Sequence, residues 1–391
     1  MLHIADLQST VLPTSPPYPV PKLVPRVVPV TKSVLPSFEE YIAEIQALWE
    51  TRWLTNNGSK HQQLERSLED YLKVENVALF TNGHLALETA IEVLGLTGEV
   101  ITTPFTFAST SHALIRKGLT PVYGDIRADN YTLDATKLER LITTKTSAIL
   151  PVHVYGNVCD VEAIEEIAKR YGLKVIYDAA HSFGVTVNGR GIGTYGDVSM
   201  FSFHATKVFH TIEGGALTFN DPQLKERFNR MKNFGIVGPE TVKEPGGNAK
   251  MNEFQAAMGI CNLRHIDELL ELRGRVRASY DRRLGKVEGI RLLSPQPGVQ
   301  TNHSYYPIVF TNKVNRRDEV HDMLEREGIY SRKYFYPLVT DYDWNLNRFA
   351  SRRTPTAQCI ADRVLTLPLY PELSEEDVAR ICKVVQKGVM T

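Results

Sequence analysis

The sequence predicts an α/β protein in which a mostly parallel sheet is covered by helices on both faces, followed by a smaller α+β domain. Between residues 77 and 219, short apolar runs typical of buried strands alternate with amphipathic helical segments, which is the pattern of parallel sheets. After Phe219 this alternation ends, and the remaining pattern mixes a strand-like run with helices. We therefore expect a large domain at 37–275 and a small one at 276–391.

A proline-rich segment precedes the large domain. Eight prolines lie between Pro13 and Pro36, a density that disfavours helices and central strands. Residues 1–36 are therefore expected to form an extended arm. From Phe38 the apolar residues fall at helical spacing up to an Asn-Asn-Gly turn at 56–58, after which a second amphipathic helix follows.

The other expected elements follow from hydrophobic periodicity, with apolar runs marking strands and helical spacing marking helices. Expected strands lie at residues 77–80, 99–102, 120–123, 147–154, 174–178, 197–203 and 304–310. Expected helices lie at residues 85–94, 107–115, 135–141, 161–171, 251–272, 317–328 and 374–386. Residues 230–252 are rich in glycine and polar residues, so we expect a loop at an active site or an interface.

The composition excludes several classes of protein. Lysine plus arginine and aspartate plus glutamate each total 45, so the formal net charge is zero, and a broad surface for nucleic acid or anionic membranes is not expected. Apolar stretches stay shorter than the roughly 18 to 20 residues of a membrane span. The four cysteines are scattered without metal-ligand spacing, so we expect no metal site and a cytoplasmic location.

Two charged residues follow two successive expected strands. Lys207 lies after the strand at 197–203 and before Gly214 and Gly215, although a lone lysine at such a place is usually a solvated loop residue. Asp178 ends the preceding strand, where aspartate is often only a turn former. If both lie at one edge of a parallel sheet, the pair could hold pyridoxal phosphate, with the carboxylate at the ring nitrogen and the amine at the aldehyde.

A glycine turn after the first strand gives a third signal. The strand at 77–80 is followed by Thr81-Asn-Gly-His84 and then by a helix. Unpaired backbone N–H groups at a helix start bind anions such as phosphate. Asn-Gly is also a common turn, so this signal is weak unless it is taken with the other two.

Seven motifs spread along the chain carry a family resemblance when they are taken together. They are Thr81-Asn-Gly-His84, Thr103-Pro-Phe-Thr-Phe-Ala108, Val152-His-Val-Tyr-Gly156, Tyr177-Asp-Ala-Ala-His181, Phe201-Ser-Phe-His-Ala-Thr-Lys207 with Glu213-Gly-Gly215, Gly247-Asn-Ala-Lys-Met-Asn-Glu253 and Leu367-Pro-Leu369. In this order they resemble the sugar-nucleotide aminotransferases, the DegT/DnrJ/EryC1/StrS group of fold-type-I pyridoxal-phosphate enzymes. The resemblance covers about residues 22–391 and implies the fold-type-I aminotransferase architecture.

The resemblance implies a role for each matching residue at the cofactor ring. Lys207 would bind the cofactor covalently and, once displaced, would move the proton during catalysis. Asp178 would pair with the ring nitrogen and keep it protonated. Phe107 would stack on the ring, with a core aromatic as the other interpretation of the residue itself. His181 would lie near the cofactor oxygen or ring, with a structural histidine as the alternative.

The resemblance also implies a phosphate site and a partner subunit. Gly83, His84 and Ser202 would hold the phosphate, the first two partly through backbone N–H groups. Asn248 matches the family's asparagine that reaches the phosphate from the neighbouring subunit, which implies a homodimer with shared active sites. The family often carries arginine where this chain has Lys250, and lysine cannot replace its forked hydrogen bonds.

The implied reaction moves an amino group from L-glutamate to a keto-sugar nucleotide, since family members that are dehydratases carry histidine in place of Lys207. The form Phe-His-x-Thr-Lys with Glu-Gly-Gly-Ala resembles members acting at C4 of dTDP-4-keto-6-deoxyhexoses, so the expected product is dTDP-4-amino-4,6-dideoxy-D-glucose. Amination at C3 is the alternative, and the nucleotide and the stereochemistry are left open. The candidate substrate residues are His204, Lys250, Tyr305 and Tyr336, of which the tyrosines could equally belong to the core.

Other functions remain as alternatives. A regulatory protein that binds the cofactor without turnover is disfavoured because both Asp178 and Lys207 are present. Amino-acid aminotransferases usually hold the substrate carboxylate with an arginine fork, and Arg332 or Arg363 could do so here. A cysteine desulfurase is disfavoured because none of the cysteines lies in a glycine-rich loop.

Overall fold

The computed structural model describes residues 27–311, 316–345 and 353–390. The helices of this part of the chain are α1 (Phe38–Ile45), α2 (Ala47–Thr51), α3 (Ser59–Leu72), α4 (Gly83–Val93), α5 (Ala108–Arg116), α6 (Val161–Tyr171), α7 (Gln223–Met231), α8 (Glu253–Arg264), α9 (Ile266–Leu284), α10 (Arg316–Arg326), α11 (Pro355–Ala361) and α12 (Glu375–Met390). The strands are β1 (Asn76–Phe80), β2 (Glu99–Thr102), β3 (Thr120–Tyr123), β4 (Thr146–Ile149), β5 (Lys174–Asp178), β6 (Thr186–Val187), β7 (Arg190–Gly191), β8 (Val198–Ser202), β9 (Gly215–Phe219), β10 (Ile236–Gly238), β11 (Thr241–Val242), β12 (Ile290–Leu292), β13 (Val299–Gln300), β14 (Tyr306–Phe310) and β15 (Val364–Leu367).

A central sheet with the strand order β1-β9-β8-β5-β4-β2-β3 organises the large domain. The pairs from β8 through β5, β4 and β2 to β3 are parallel, whereas β9 is antiparallel to both of its neighbours. Alternate residues of β1 enter two different cores: Val77 and Leu79 face α3, α6 and α8, and Ala78 and Phe80 face α4, α5 and α7. The predicted mostly parallel sheet with helices on both faces is confirmed.

Several element boundaries differ from the sequence-based expectation. Residues 135–141 form a 3₁₀ helix rather than an α-helix. The strand expected at 147–154 ends at Ile149, just before Pro151, which has no N–H to donate to a ladder. The long helix expected from residue 251 is interrupted at His265 and becomes α8 and α9.

The C-terminal part contains a separate antiparallel sheet, β12-β14-β15, covered by α9, α10 and α12. Its core includes Ile308, Leu324 and Ile381. The domain boundary predicted at residue 275 falls inside α9, whose first residue packs on the large core and whose Tyr280 packs on the small one. The boundary therefore stays a prediction. None of the described helices is long and apolar enough to cross a membrane.

The predicted proline arm at 1–36 lies outside the described residues up to residue 26. Its described part runs along the small domain, where Val28 pairs in parallel with Ile329. It then reaches the loop that carries Lys207, where His210 Nε2 lies 2.6 Å from the carbonyl oxygen of Val34. This segment therefore connects the small domain with the loop after β8.

Candidate active site

Lys207 lies in the loop between β8 and β9, where its backbone N–H donates to the His204 carbonyl at 2.8 Å. Its side chain is half-buried, and burial lowers the pKa of its amine to about 8 while the negative charge of Asp178 opposes that shift. A lysine amine is normally charged at neutral pH. With this pKa the amine is still mostly protonated at neutral pH, but its neutral fraction, which can act as a nucleophile or base, is far larger than that of an ordinary lysine.

Asp178 ends β5 in a buried position. Thr110 Oγ1 donates to Asp178 Oδ2 at 2.7 Å, and the Ala180 N–H donates to Oδ1 at 3.1 Å. Burial raises the pKa of this carboxyl, and the hydrogen bonds from Thr110 and Ala180 and the charge of Lys207 oppose the rise. The sequence did not reveal Thr110, which lies just after the motif that ends at Ala108, because nothing in the sequence shows that the first turn of α5 faces the end of β5.

The start of α4 meets the ends of β8 and β9 with almost no space between the backbones. A Cβ atom on Gly215 would lie 2.5 Å from the Gly83 nitrogen, and one on Gly83 would lie 3.2 Å from Ser202 Cα. Asn82 caps the helix by accepting from the Leu85 N–H at 2.8 Å. The backbone N–H groups of residues 83 and 84 donate to no acceptor among the described residues, so this helix start can bind an anion.

The side chains of His84 and Phe107 differ in their surroundings: the ring of His84 is held by polar neighbours, whereas the ring of Phe107 is exposed. His84 Nδ1 lies 2.8 Å from Ser109 Oγ, and its Nε2 lies 3.1 Å from the carboxylate of Glu88, so this ring joins α4 to α5. Phe107 precedes α5 and is 59% exposed. This exposure excludes the core-aromatic alternative and leaves its ring free to cover a ligand beside Thr110.

His181 is buried beside the same sheet edge. Its Nδ1 accepts from the Tyr155 N–H at 3.1 Å, and burial together with the charge of Lys207 lowers the pKa of its imidazole well below the usual range. The ring is therefore neutral and carries its proton on Nε2. Phe335 stacks parallel to it at 5.8 Å, and Tyr305 meets it edge-on at 4.8 Å.

Two of the four candidate substrate residues, Tyr305 and His204, lie near Lys207, whereas Tyr336 and Lys250 do not. Tyr305 lines a cavity of about 510 Å³ together with Thr206. His204 is exposed, with Nδ1 2.8 Å from the Thr206 hydroxyl. Tyr336 is absent from the lining of this cavity and packs under the guanidinium of Arg317 at 4.2 Å. A substrate role for Tyr336 therefore gains no support from its position.

Asn248 and Lys250 lie together in the loop before α8. Lys250 Nζ donates to Asn248 Oδ1 and to Asn233 Oδ1, both at 2.9 Å, and it lies 4.8 Å from the centre of the Phe234 ring. Within the described part of the chain these contacts stay inside residues 233–250 and do not reach Lys207. The backbone of this loop lies beside the turn before α4 of the same chain, where the Thr81 N–H donates to the Ala249 carbonyl at 2.8 Å.

Three features of this site correspond to the three reactive groups of pyridoxal phosphate. The amine of Lys207 suits an aldehyde, the buried carboxylate of Asp178 suits a protonated ring nitrogen, and the free N–H groups at Gly83 suit a phosphate. The absence of side chains at Gly83 and Gly215 lets the start of α4 lie directly against the ends of β8 and β9. The residues present therefore fit this cofactor.

Relatives of this chain are sugar aminotransferases. The model of the DegT/DnrJ/EryC1/StrS aminotransferase family matches residues 37–386. The dTDP-4-amino-4,6-dideoxy-D-glucose transaminase of Shigella dysenteriae is 42% identical over 361 residues, which cover 92% of this chain and 98% of the relative. The UDP-N-acetyl-3-dehydro-alpha-D-glucosamine 3-aminotransferase of Acidithiobacillus ferrooxidans is 32% identical, with 84% and 89% of the two chains covered.

Solved structures give the same result. DesI in the presence of its TDP-sugar product matches with a TM-score of 0.89 at 30% identity, covering 94% of each chain. The PLP form of the Streptococcus pneumoniae protein Spr1654 matches with a TM-score of 0.86 at 26% identity, covering 93% of this chain and 99% of that one. The chain belongs to the DegT/DnrJ/EryC1/StrS aminotransferase family and is a transaminase.

Proposed function

We propose that this protein transfers the amino group of L-glutamate to C4 of dTDP-4-keto-6-deoxy-D-glucose and releases dTDP-4-amino-4,6-dideoxy-D-glucose, with pyridoxal phosphate as cofactor. The choice of substrate rests on the Shigella transaminase, which is 42% identical over almost its whole length. The chemistry rests on the amine of Lys207, the pKa of which burial lowers to about 8, at the sheet edge that also carries Asp178.

Bound pyridoxal phosphate would withdraw electrons from the carbon that carries the amino group, so that this carbon can lose its proton. Asp178 would accept a hydrogen bond from the ring nitrogen and hold the proton there, while Thr110 keeps the carboxylate oriented. The N–H groups at Gly83 and His84 and the hydroxyl of Ser202 would hold the phosphate. Phe107 would cover one face of the ring and exclude water from it.

Lys207 would be the group that moves the proton. Its neutral Nζ would accept the proton that leaves the amino-bearing carbon of the donor. The same nitrogen would then deliver this proton to the aldehyde carbon of the cofactor, which is general acid–base catalysis. His181 keeps its proton on Nε2, so that it can donate a hydrogen bond toward the ring without adding positive charge next to Lys207. The two groups would therefore act without competing for one proton.

A homodimer would complete the site by supplying Asn248 and Lys250 from the second chain. Three large apolar side chains, Trp49, Trp53 and Leu54, are exposed by 66%, 58% and 47%. The carbonyl of Leu54 accepts from the Glu253 N–H at 3.0 Å, which places this apolar surface beside the loop of Asn248. Exposed apolar surface of this kind marks protein interfaces. We place the dimer in the cytoplasm, as expected from the scattered cysteines.

The proposal is tested by incubating the purified protein and glutamate with a panel of 3-keto and 4-keto nucleotide sugars. Mass spectrometry and NMR of the product identify the aminated carbon, which we expect to be C4 of the dTDP sugar. Lys207→Ala should give no product, and Lys286→Ala, an exposed lysine after α9, should behave as wild type. Amination at C3 would favour the alternative reaction, and a lack of product with every sugar would favour a regulatory protein.

A further inference from the structure

A cavity of about 510 Å³ separates the small domain from the loop of Lys207. Thr206, next to the lysine, forms part of its wall, and Tyr305 and Tyr334 line the same space. Val30 of the proline arm lines it from another side. The cavity therefore extends from the small domain to the residue that precedes the reactive lysine.

Arg332 brings an unpaired cation into this cavity. Its backbone is fixed by two hydrogen bonds with Thr366, of 3.0 Å from Arg332 N and 2.7 Å from Thr366 N. Within the described ranges its guanidinium makes no hydrogen bond and no ion pair, whereas Arg273 and Arg317 are both hydrogen-bonded. A guanidinium offers five donors in a planar fork that matches a carboxylate or a phosphate.

Arg332 lines the same cavity as Thr206, the residue before Lys207. Burial raises the pKa of Tyr334, and the positive charges of both Arg332 and Lys207 oppose that rise, so Tyr334 lies within electrostatic range of both. The other ionisable lining residues on α10 are His321 and Glu325. His321 Nδ1 lies 2.8 Å from the hydroxyl of Ser331, and Glu325 forms no ion pair with Arg332.

We propose that Arg332 binds a carboxylate of the dicarboxylic amino donor while the amino group of the donor faces Lys207. This inference rests on the proposed function for the identity of the donor. It adds the residue that distinguishes an α-amino acid from amines that carry no carboxylate. The side chain of Arg332 is exposed at the wall of this cavity, and its guanidinium favours an anionic group because an anion satisfies its donors and its charge together.

The position of Arg332 favours the donor over the sugar nucleotide. In glutamate the amino group and one carboxylate share a carbon, so a cation that binds the carboxylate has to lie close to the amine. In the nucleotide sugar the diphosphate is attached at C1, across the ring from the C4 carbon that reacts. A cation farther from Lys207 is needed for the diphosphate, and Lys250 of the partner subunit would be suited to it.

The inference is tested by equilibrium binding to the holoenzyme and by the two half-reactions. Glutarate, a dicarboxylate without an amine, and dTDP serve as probes for calorimetry. In Arg332→Gln we expect glutarate to bind about 10- to 100-fold more weakly and dTDP to bind unchanged, the range expected for loss of a charged hydrogen bond. The glutamate half-reaction should slow by a similar factor, and the half-reaction with the keto sugar should not.

Two variants serve as controls. Arg332→Lys keeps the charge without the fork and should lose less than Arg332→Gln. Arg326→Gln removes an exposed arginine at the end of α10, outside the lining of the cavity, and should change neither probe. Unchanged glutarate affinity in Arg332→Gln, or an equal or larger loss for dTDP, would overturn the assignment.

The outcome is separable from that of the proposed function. A wild-type protein that accepts no keto sugar but binds glutarate in an Arg332-dependent way disproves the sugar substrate and leaves the role of Arg332 intact. Amination of the sugar together with unchanged glutarate binding in Arg332→Gln supports the sugar substrate and disproves the role of Arg332.

Discussion

Thr110 Oγ1 lies 2.7 Å from Asp178 Oδ2, so a helix that begins beside Phe107 determines the environment of the carboxylate at the end of β5. Thr106 Oγ1 is in turn 2.8 Å from Thr110 Oγ1. The carboxylate is therefore oriented by a chain of hydroxyls and not only by the strand that carries it. Such a chain is strengthened by the low dielectric of a buried site.

Removal of that hydroxyl should weaken cofactor binding. Thr110→Val keeps the side-chain shape and leaves Asp178 Oδ2 without its donor, a loss of about 1–3 kcal/mol for a buried charged acceptor. Because the hydrogen bond opposes the effect of burial, the pKa of Asp178 should rise in the variant. An absorbance titration with pyridoxal phosphate measures the affinity. Thr110→Ser should bind nearly as wild type, and equal affinities in all three proteins would contradict the role given to Thr110.

The reactivity of Lys207 should depend on pH near 8. Burial lowers the pKa of its amine to about 8, so the amine of the cofactor-free protein is largely protonated below that pH and largely neutral above it. The rate of covalent capture of pyridoxal phosphate should increase with pH and level off above about pH 8. Stopped-flow absorbance measures this rate. A rate that continues to increase up to pH 10 would show that the amine has its ordinary pKa.

The close approach of Gly83 and Gly215 should not tolerate a side chain. In Gly215→Ala the new Cβ atom would lie 2.5 Å from the Gly83 nitrogen, so either β9 or the start of α4 must move, at a cost of about 1–3 kcal/mol. We expect a lower melting temperature and weaker binding of inorganic phosphate. Gly238→Ala is the matched control, because a Cβ atom there meets nothing within 4 Å. Equal stability of the two variants would contradict the contact.

Shared active sites should be detectable by mixing inactive variants. Lys207→Ala and Asn248→Ala should each be inactive or nearly so as homodimers. When they are unfolded and refolded together, each heterodimer would contain one site with both defects and one intact site, so activity should return to about a quarter of the wild-type level. If Asn248 acted within its own chain, both sites of the heterodimer would be defective and no activity would return.

Acid should destabilise the protein partly through His61 of α3. Burial lowers the pKa of this imidazole to about 3, whereas in the unfolded chain the pKa is about 6.5. Between these values the unfolded chain binds a proton that the folded chain does not. As the pH falls through this range, the free energy of unfolding should therefore decrease by about 1.4 kcal/mol per pH unit for this residue. In His61→Leu the slope of the free energy of unfolding against pH should decrease by the contribution of one proton. Denaturant unfolding at several pH values measures the slope, and an unchanged slope would contradict the assignment.

Local sequence patterns predicted the parts of the site that depend on one segment. The glycine turn at 81–84 and the strand before Lys207 follow from apolar runs and turn residues, and both elements are present as expected. The strand β9 was not among the expected strands, so its antiparallel insertion between β1 and β8 was not predicted either. Thr110 was missed for a related reason, since its partner Asp178 lies 68 residues away in the chain.

The described part of the proline arm can dock only late in the synthesis of the chain. Lys32 pairs with Glu372, a separation of 340 residues, and the Leu369 N–H donates to the Val30 carbonyl. The ribosome makes the arm long before it makes these partners, so the arm has to stay undocked until nearly the whole chain has emerged. Contacts of such long range form late in folding. The cavity that Arg332 lines can therefore acquire the wall formed by Val30 only after synthesis of the small domain.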